Sequence, residues 1–222
     1  MSSHVSRGPR LKGLVLDFGG VLTTPLLPAA LAFERREGLA EGTLLTDLAL
    51  TPEGIRITED LERGAIGQRE WNAVAGRLLR VRPDNLMGRI FADLRPEPTV
   101  IVAAAVARRA GVKVGILSNS VGLTPWNLYQ GYAVNRLYDA VVLSERHGLR
   151  KPEPELYRLV LARLGLTAEE CVFVDDTAQH LPPAAALGFT TVHAVEPAGT
   201  VAAIEAALGI PLVGVTPERS HR

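Results

Sequence analysis

The chain has 222 residues, 47% of them hydrophobic, and Lys plus Arg equals Asp plus Glu at 24 each. That length and apolar content suit one large core with room for a small inserted module, and they exclude a disordered chain. The charge balance excludes a basic field for nucleic acid or an anionic membrane, so the expected partners are small ligands captured locally.

Residues 1–10 mix Ser, His, Arg, Gly and Pro without periodicity and are expected to form a flexible leader, with a second flexible tail at 214–222. Residues 14–22 read Leu-Val-Leu-Asp-Phe-Gly-Gly-Val-Leu. An unbroken apolar run is the pattern of a strand buried on both faces of a parallel sheet, and the C-terminal ends of such strands are where open α/β sheets bind ligands. Asp17 is therefore the first candidate for chemistry. Gly19 and Gly20 have no Cβ, so the backbone after Asp17 can turn sharply and bring main-chain groups up to a ligand. The longest apolar run, residues 100–107, is far short of the roughly 18 residues of a membrane span, and Asp17 interrupts the N-terminal run before it could serve as a signal peptide. A cytoplasmic protein is expected. The sole cysteine, Cys171, excludes an internal disulfide and, within Cys-Val-Phe-Val, reads as a small core residue.

From residue 25 the pattern changes to helical spacing for some seventy residues. Trp71, Val74, Ala75 and Leu78 form one apolar stripe, with Trp71 facing the core of this module, and Leu86, Ile90 and Leu94 repeat every four residues in a next helix. Pro96 and Pro98 push the residues before them out of helical conformation and mark the end. Beyond them helices and strands alternate. A helix over 99–110 closes on Gly111, and an apolar run over 112–117 ends in Ser118-Asn119-Ser120. A strand follows at 140–143, a helix at 155–164, a Thr167/Glu170 capping box, and a strand at 171–174 ending in Asp175-Asp176. A helix toward residue 187, a strand at 190–195 and a helix at 200–208 complete the series.

This alternation predicts an α/β fold: a Rossmann-like three-layer core with a parallel sheet, built from residues 11–24 and 96–213, and an inserted helical cap at 25–95. Parallel strands share one direction, so Asp17, Ser118 and Asp175 at three strand ends face one crevice. Three carboxylates there, Asp17, Asp175 and Asp176, would repel one another without a cation. With no His or Cys cluster, the oxygen set suits Mg²⁺ better than Ca²⁺ or Zn²⁺. Lys151 is one of only three lysines against 21 arginines. Read alone, Ser118 is a turn cap and His147 and His180 are surface or loop histidines; a solvated charge is the plain alternative for Lys151, and a solvated turn for Asp175-Asp176, the latter disfavoured because Asp17 needs a partner.

Together, Asp-Phe-Gly-Gly-Val-Leu at 17–22, Ser118 in Leu-Ser-Asn-Ser, Lys151 in Gly-Leu-Arg-Lys-Pro and Asp175-Asp176 in Phe-Val-Asp-Asp-Thr resemble the four ordered motifs of the haloacid dehalogenase-like (HAD) hydrolase superfamily. The small helical insert resembles the cap of its phosphatase-type first subfamily. Asp-Phe-Gly also occurs in protein kinases, but neither a Gly-x-Gly-x-x-Gly loop nor a His-Arg-Asp loop is present. The resemblance implies an Mg²⁺-dependent phosphatase acting on a small phosphorylated metabolite. Asp17 would be the nucleophile, Ser118, Asn119 and Lys151 would bind the phosphoryl group, and Asp17, Asp176, the Gly19 carbonyl and Asp175, directly or through water, would hold the metal. Most phosphatases of that superfamily carry a second Asp where this chain has Gly19, and close relatives often have Asn where it has His180. The departure at Gly19 leaves a low-turnover phosphometabolite-binding or regulatory protein as the alternative, with a haloacid dehalogenase as a further one.

Overall fold

The computed structural model describes residues 11–212; the tails expected at 1–10 and 214–222, and residue 213 of the expected core, lie outside the described residues. Strands β1 (Gly13–Leu16), β2 (Lys113–Ser118), β3 (Ala140–Leu143), β4 (Cys171–Asp175) and β5 (Thr190–His193) form one sheet in the order β3-β2-β1-β4-β5. Every pairing is parallel. The central strand, β1, is buried along its whole length, as its unbroken apolar run requires. Helices α1 (Leu26–Glu37), α2 (Pro52–Glu62), α3 (Gln68–Leu79) and α4 (Leu86–Ile90) lie between β1 and β2 in sequence. The core helices are α5 (Pro98–Arg109), α6 (Val134–Leu137), α7 (Pro154–Leu164), α8 (Leu181–Ala186) and α9 (Pro197–Leu208).

Helices α5 and α9 pack on each other and on one face of the sheet, while α7 and α8 cover the other. The result is the three-layer α/β architecture predicted from the alternation of elements. Local signals set the helix ends: the Glu97 side chain accepts from Thr99 N–H ahead of Pro98, and Gly165 ends α7 in the left-handed region at φ 63°. Helices α1 to α4 bury their own cluster, including Phe33, Ile57, Leu61, Trp71, Leu86 and Ile90. Where the chain leaves and re-enters the core, Thr24 N–H donates to Arg95 O at 2.8 Å, and Glu97 N–H donates to Leu22 O at 3.0 Å. Among the described residues no helix is long and apolar enough to cross a membrane.

The expected stripe on α3 packs on the cluster of α1 to α4, with Trp71 and Ala75 buried and Val74 and Leu78 half-buried at its edge, and it continues to Leu79. One helical expectation is corrected. The helix expected through Leu94 stops at Ile90. Beyond it Leu94 N–H donates to Phe91 O in a turn, because the chain must already bend back toward the Thr23–Pro96 bridge. Cys171 is a buried free cysteine.

Candidate active site

Asp17 follows β1 directly, and its N–H still donates to Val174 O at 2.8 Å, so the backbone of this carboxylate stays in line with β4. Leu16 is in register with both Ile116 and Val174, which brings the ends of β2, β1 and β4 together. Phe18 is fully buried, with its ring 4.5 Å from that of Tyr129 and 4.7 Å from that of Tyr132. That anchor fixes the loop on which Asp17 stands. Gly20 then adopts φ 72°, and a Cβ there would lie 2.2 Å from Asp176 Oδ2, so only glycine lets the backbone pass beneath Asp176. Gly19 is different. It has no left-handed φ, and the nearest atoms to a Cβ there would be those of the Leu26 side chain, at 3.4 Å.

Lys151 is the charge centre of the site. Its side chain is 0% exposed, and Nζ lies 2.8 Å from Asp17 Oδ1 and 2.6 Å from Asp175 Oδ2. Asp175 Oδ1 also accepts from Thr177 N–H at 2.8 Å and pairs with His180 Nδ1 at 3.0 Å. Asp176 accepts a longer bond, 3.3 Å, from the Thr177 hydroxyl. One oxygen from each of Asp17, Asp175 and Asp176 lies within 4.8 Å of the others. The three expected carboxylates are therefore in one cluster, although Asp175 stands behind Lys151 and does not line the cavity that Asp17 and Asp176 face.

Burial pushes the Asp17 carboxyl up to about 7, against the pull of the Lys151 ammonium and with Asp175 and Asp176 adding to the rise. Burial and the neighbouring Asp175 likewise raise Asp176. Burial also works to raise Asp175, but Lys151 and His180 overrule it and hold Asp175 below the ordinary carboxylate value. For Lys151 burial alone would lower the pKa, and the two carboxylates reverse that into a rise, so it stays charged. One ammonium against three clustered carboxylates leaves the pocket short of positive charge. A hard cation on the oxygen atoms of Asp17 and Asp176 fits that shortage.

Ser118 and Asn119 line the same cavity. Tyr129 donates its phenol proton to Ser118 Oγ at 2.9 Å, and burial keeps that phenol above its ordinary pKa, so it remains a donor. Asn119 Oδ1 accepts from Lys151 N–H at 2.7 Å, and its Nδ2 donates to Lys151 O at 3.2 Å, clamping the lysine loop. Arg150 Nε reaches Glu62 Oε2 at 2.6 Å and Arg150 Nη1 reaches Glu59 Oε1 at 3.1 Å, so the end of α2 is tied to the same loop. His147 pairs with Arg163 on the surface, as expected of it. His180 is a correction: its side chain is only 12% exposed, lines the cavity and bonds Asp175, because the 3₁₀ turn Ala178–His180 folds it back on the strand end. Tyr129 and Glu62 carry no sequence signal of their own, since nothing local distinguishes them from other aromatic and charged residues of loops and helix faces.

Asp17, Ser118, Asn119, Lys151, Asp176 and His180 form the floor of a cavity of about 600 Å³ roofed by α1, α2 and α4. A family model of haloacid dehalogenase-like hydrolases matches residues 11–188. The chain belongs to this family. It is 34% identical over 101 residues to a glyceraldehyde 3-phosphate phosphatase of Methanocaldococcus jannaschii, a match covering 45% of this chain and 44% of that protein. It is 25% identical over 195 residues to the sesquiterpene phosphatase astK of Aspergillus oryzae, covering 85% of this chain and 92% of that one. The chain spans less than half the length of the first curated relatives it matches. Among solved structures, a HAD family enzyme of Bacteroides thetaiotaomicron in a magnesium complex has a TM-score of 0.64 at 21% identity, covering 83% of this chain and 93% of that one. A likeness at that identity speaks for the HAD-like fold alone.

Proposed function

We propose that this HAD-like hydrolase is an Mg²⁺-dependent phosphatase that hydrolyses a small phosphomonoester through an aspartyl-phosphate on Asp17. The observation that carries this reading is Lys151, buried and shared between Asp17 and Asp175 at the floor of a cavity. Lys151 holds Asp17 Oδ1, which leaves Oδ2 to attack phosphorus. The bond from that oxygen to phosphorus forms as the ester P–O bond breaks, and the departing alkoxide takes a proton from water. Lys151 and the Ser118 hydroxyl stabilise charge on the phosphoryl oxygens, and water then cleaves the acyl phosphate to release inorganic phosphate. Asp17, Asp176 and the Gly19 carbonyl would hold Mg²⁺, with Asp175 fixing Lys151 beside them. When bound, the metal supplies Lewis-acid neutralisation of phosphoryl charge.

The test is phosphate release from aryl and alkyl phosphomonoesters with Mg²⁺ and with excess chelator. Mg²⁺-dependent release is expected. Halide release from 2-haloacids without metal would overturn the reading in favour of a dehalogenase, and tight phosphoester binding without turnover would favour the low-turnover binding protein that Gly19 keeps in play.

Gly19 also predicts a substrate bias. Aryl phosphates leave as stable anions and need little protonation, whereas alkyl phosphates leave as basic alkoxides and need a proton in the transition state. Installing Gly19→Asp should raise kcat/KM for alkyl phosphates by up to about 10²-fold and change aryl phosphates far less. The Leu26 contact at 3.4 Å is an ordinary van der Waals distance for the added Cβ. Equal change on both substrate types, in a variant that melts like the wild type, would remove leaving-group protonation as the missing step.

A further inference from the structure

Above the polar floor, much of the wall of the cavity is hydrocarbon: Leu48, Trp71, Met87, Ile90 and Phe91 all face it. The one polar atom of Trp71 is already engaged, with Nε1–H donating to Thr58 Oγ1 at 3.3 Å. Leu27, Leu45 and Ile55 also line it, yet they remain 64%, 57% and 42% exposed, which places them at its mouth. The turn that presents Leu44 and Leu45 is built rather than loose. The buried Glu34 accepts from Gly42 N–H at 2.8 Å and from Leu44 N–H at 2.7 Å, which fixes it.

The basic side chains on the wall are already paired. Arg150 is held by Glu59 and Glu62, Lys151 by Asp17 and Asp175, and His180 by Asp175. Among the described lining residues no cation is left to receive a second phosphate or a carboxylate. A substrate body carrying more charge would enter hydrocarbon without partners and lose its hydration. A cavity of about 600 Å³ holds a drug-sized body, well beyond a three-carbon backbone.

We propose that the cavity takes the hydrocarbon body of a phosphomonoester of an apolar alcohol, with Leu27, Leu45 and Ile55 covering the tail where it reaches the mouth. The phosphate end rests on the phosphatase reading above, and the apolar body rests on this wall. A cluster of exposed apolar side chains that is continuous with a charged floor is the shape of a groove for one amphipathic ligand.

The test separates the two readings by measuring binding apart from turnover. Calorimetry of the Mg²⁺-loaded protein with n-alkyl phosphonates from ethyl to decyl should show affinity rising by about threefold to fourfold for each methylene buried, until the cavity is full. Leu27→Glu and Leu45→Glu change exposed positions and should melt like the wild type. Each should weaken decyl phosphonate by tenfold or more, and ethyl phosphonate much less. Affinity independent of chain length, or an equal loss for both ligands in the variants, would overturn the proposal. So would a dimer that buries the mouth and excludes decyl phosphonate. If no phosphoester of any length is hydrolysed, the phosphatase reading fails while the phosphonate series still decides what the cavity binds.

Discussion

Asp17→Asn should fold, release phosphate about 10⁴- to 10⁶-fold more slowly than the wild type, and melt higher than the wild type in metal-free buffer at neutral pH. The loss of rate follows from the amide, which matches the carboxylate in shape but cannot form the acyl phosphate. The gain in stability follows from burial. An ordinary aspartate titrates near 3.8, whereas Asp17 in the folded chain is raised to about 7. Its folded pKa lies above its unfolded one, so the stability that comes from a neutral carboxyl is fully present below about pH 3.8 and lost as the pH rises through about 7. Asparagine never ionises and never loses it. The melting advantage of the variant should therefore be absent near pH 4, open between about pH 4 and 7, and level off above, at up to about 10 °C. Mg²⁺ should narrow the gap by stabilising the wild type more, since the variant lacks the anionic ligand. Retained turnover would remove Asp17 from the nucleophile role, and a wild type that gains stability over the variant as the metal-free pH rises would show that the site is not short of positive charge.

The sheet and the floor of the site were legible because both depend on patterns that survive in one dimension. The apolar run before Asp17, the runs before Ser118 and Asp175, and the helices between them specify parallel strands whose ends converge, and the register of Leu16 with Ile116 and Val174 is what that convergence looks like. The supporting groups were not legible, because they act across the chain. Tyr129 reaches Ser118 from a loop, Glu62 reaches Arg150 across 88 residues, and His180 folds back on Asp175 through a short 3₁₀ turn. No local periodicity encodes such contacts. The apolar cavity was hidden for a related reason: Trp71 is both a member of the cap cluster and part of the cavity wall, and helical spacing says only that such a residue is turned away from water.

Lys151→Met should be the most destabilising single change in the site. The methionine fits the space of the lysine stem but leaves Asp17 and Asp175 facing each other without the ammonium that lies 2.8 and 2.6 Å from them. Removing one partner of a buried ion pair costs about 3–5 kcal/mol, because the remaining charge loses its compensation without regaining water. For a domain of this size that corresponds to a fall in Tm of roughly 6–20 °C. The deficit has a pH signature. With the ammonium gone, both carboxylates should titrate higher in the folded chain, so stability is lost as pH rises and the gap to the wild type widens from about pH 5 to pH 8. Adding Asp17→Asn and Asp175→Asn to Lys151→Met removes the uncompensated charges and should recover much of the Tm, while phosphate release stays abolished. The measurement is a set of thermal melts of the single and triple variants across that pH range in chelator. A Lys151→Met protein that melts with the wild type at pH 8, or a triple variant no more stable than the single one, would mean that Lys151 does not neutralise Asp17 and Asp175. The charge argument for the site would then fail at its centre.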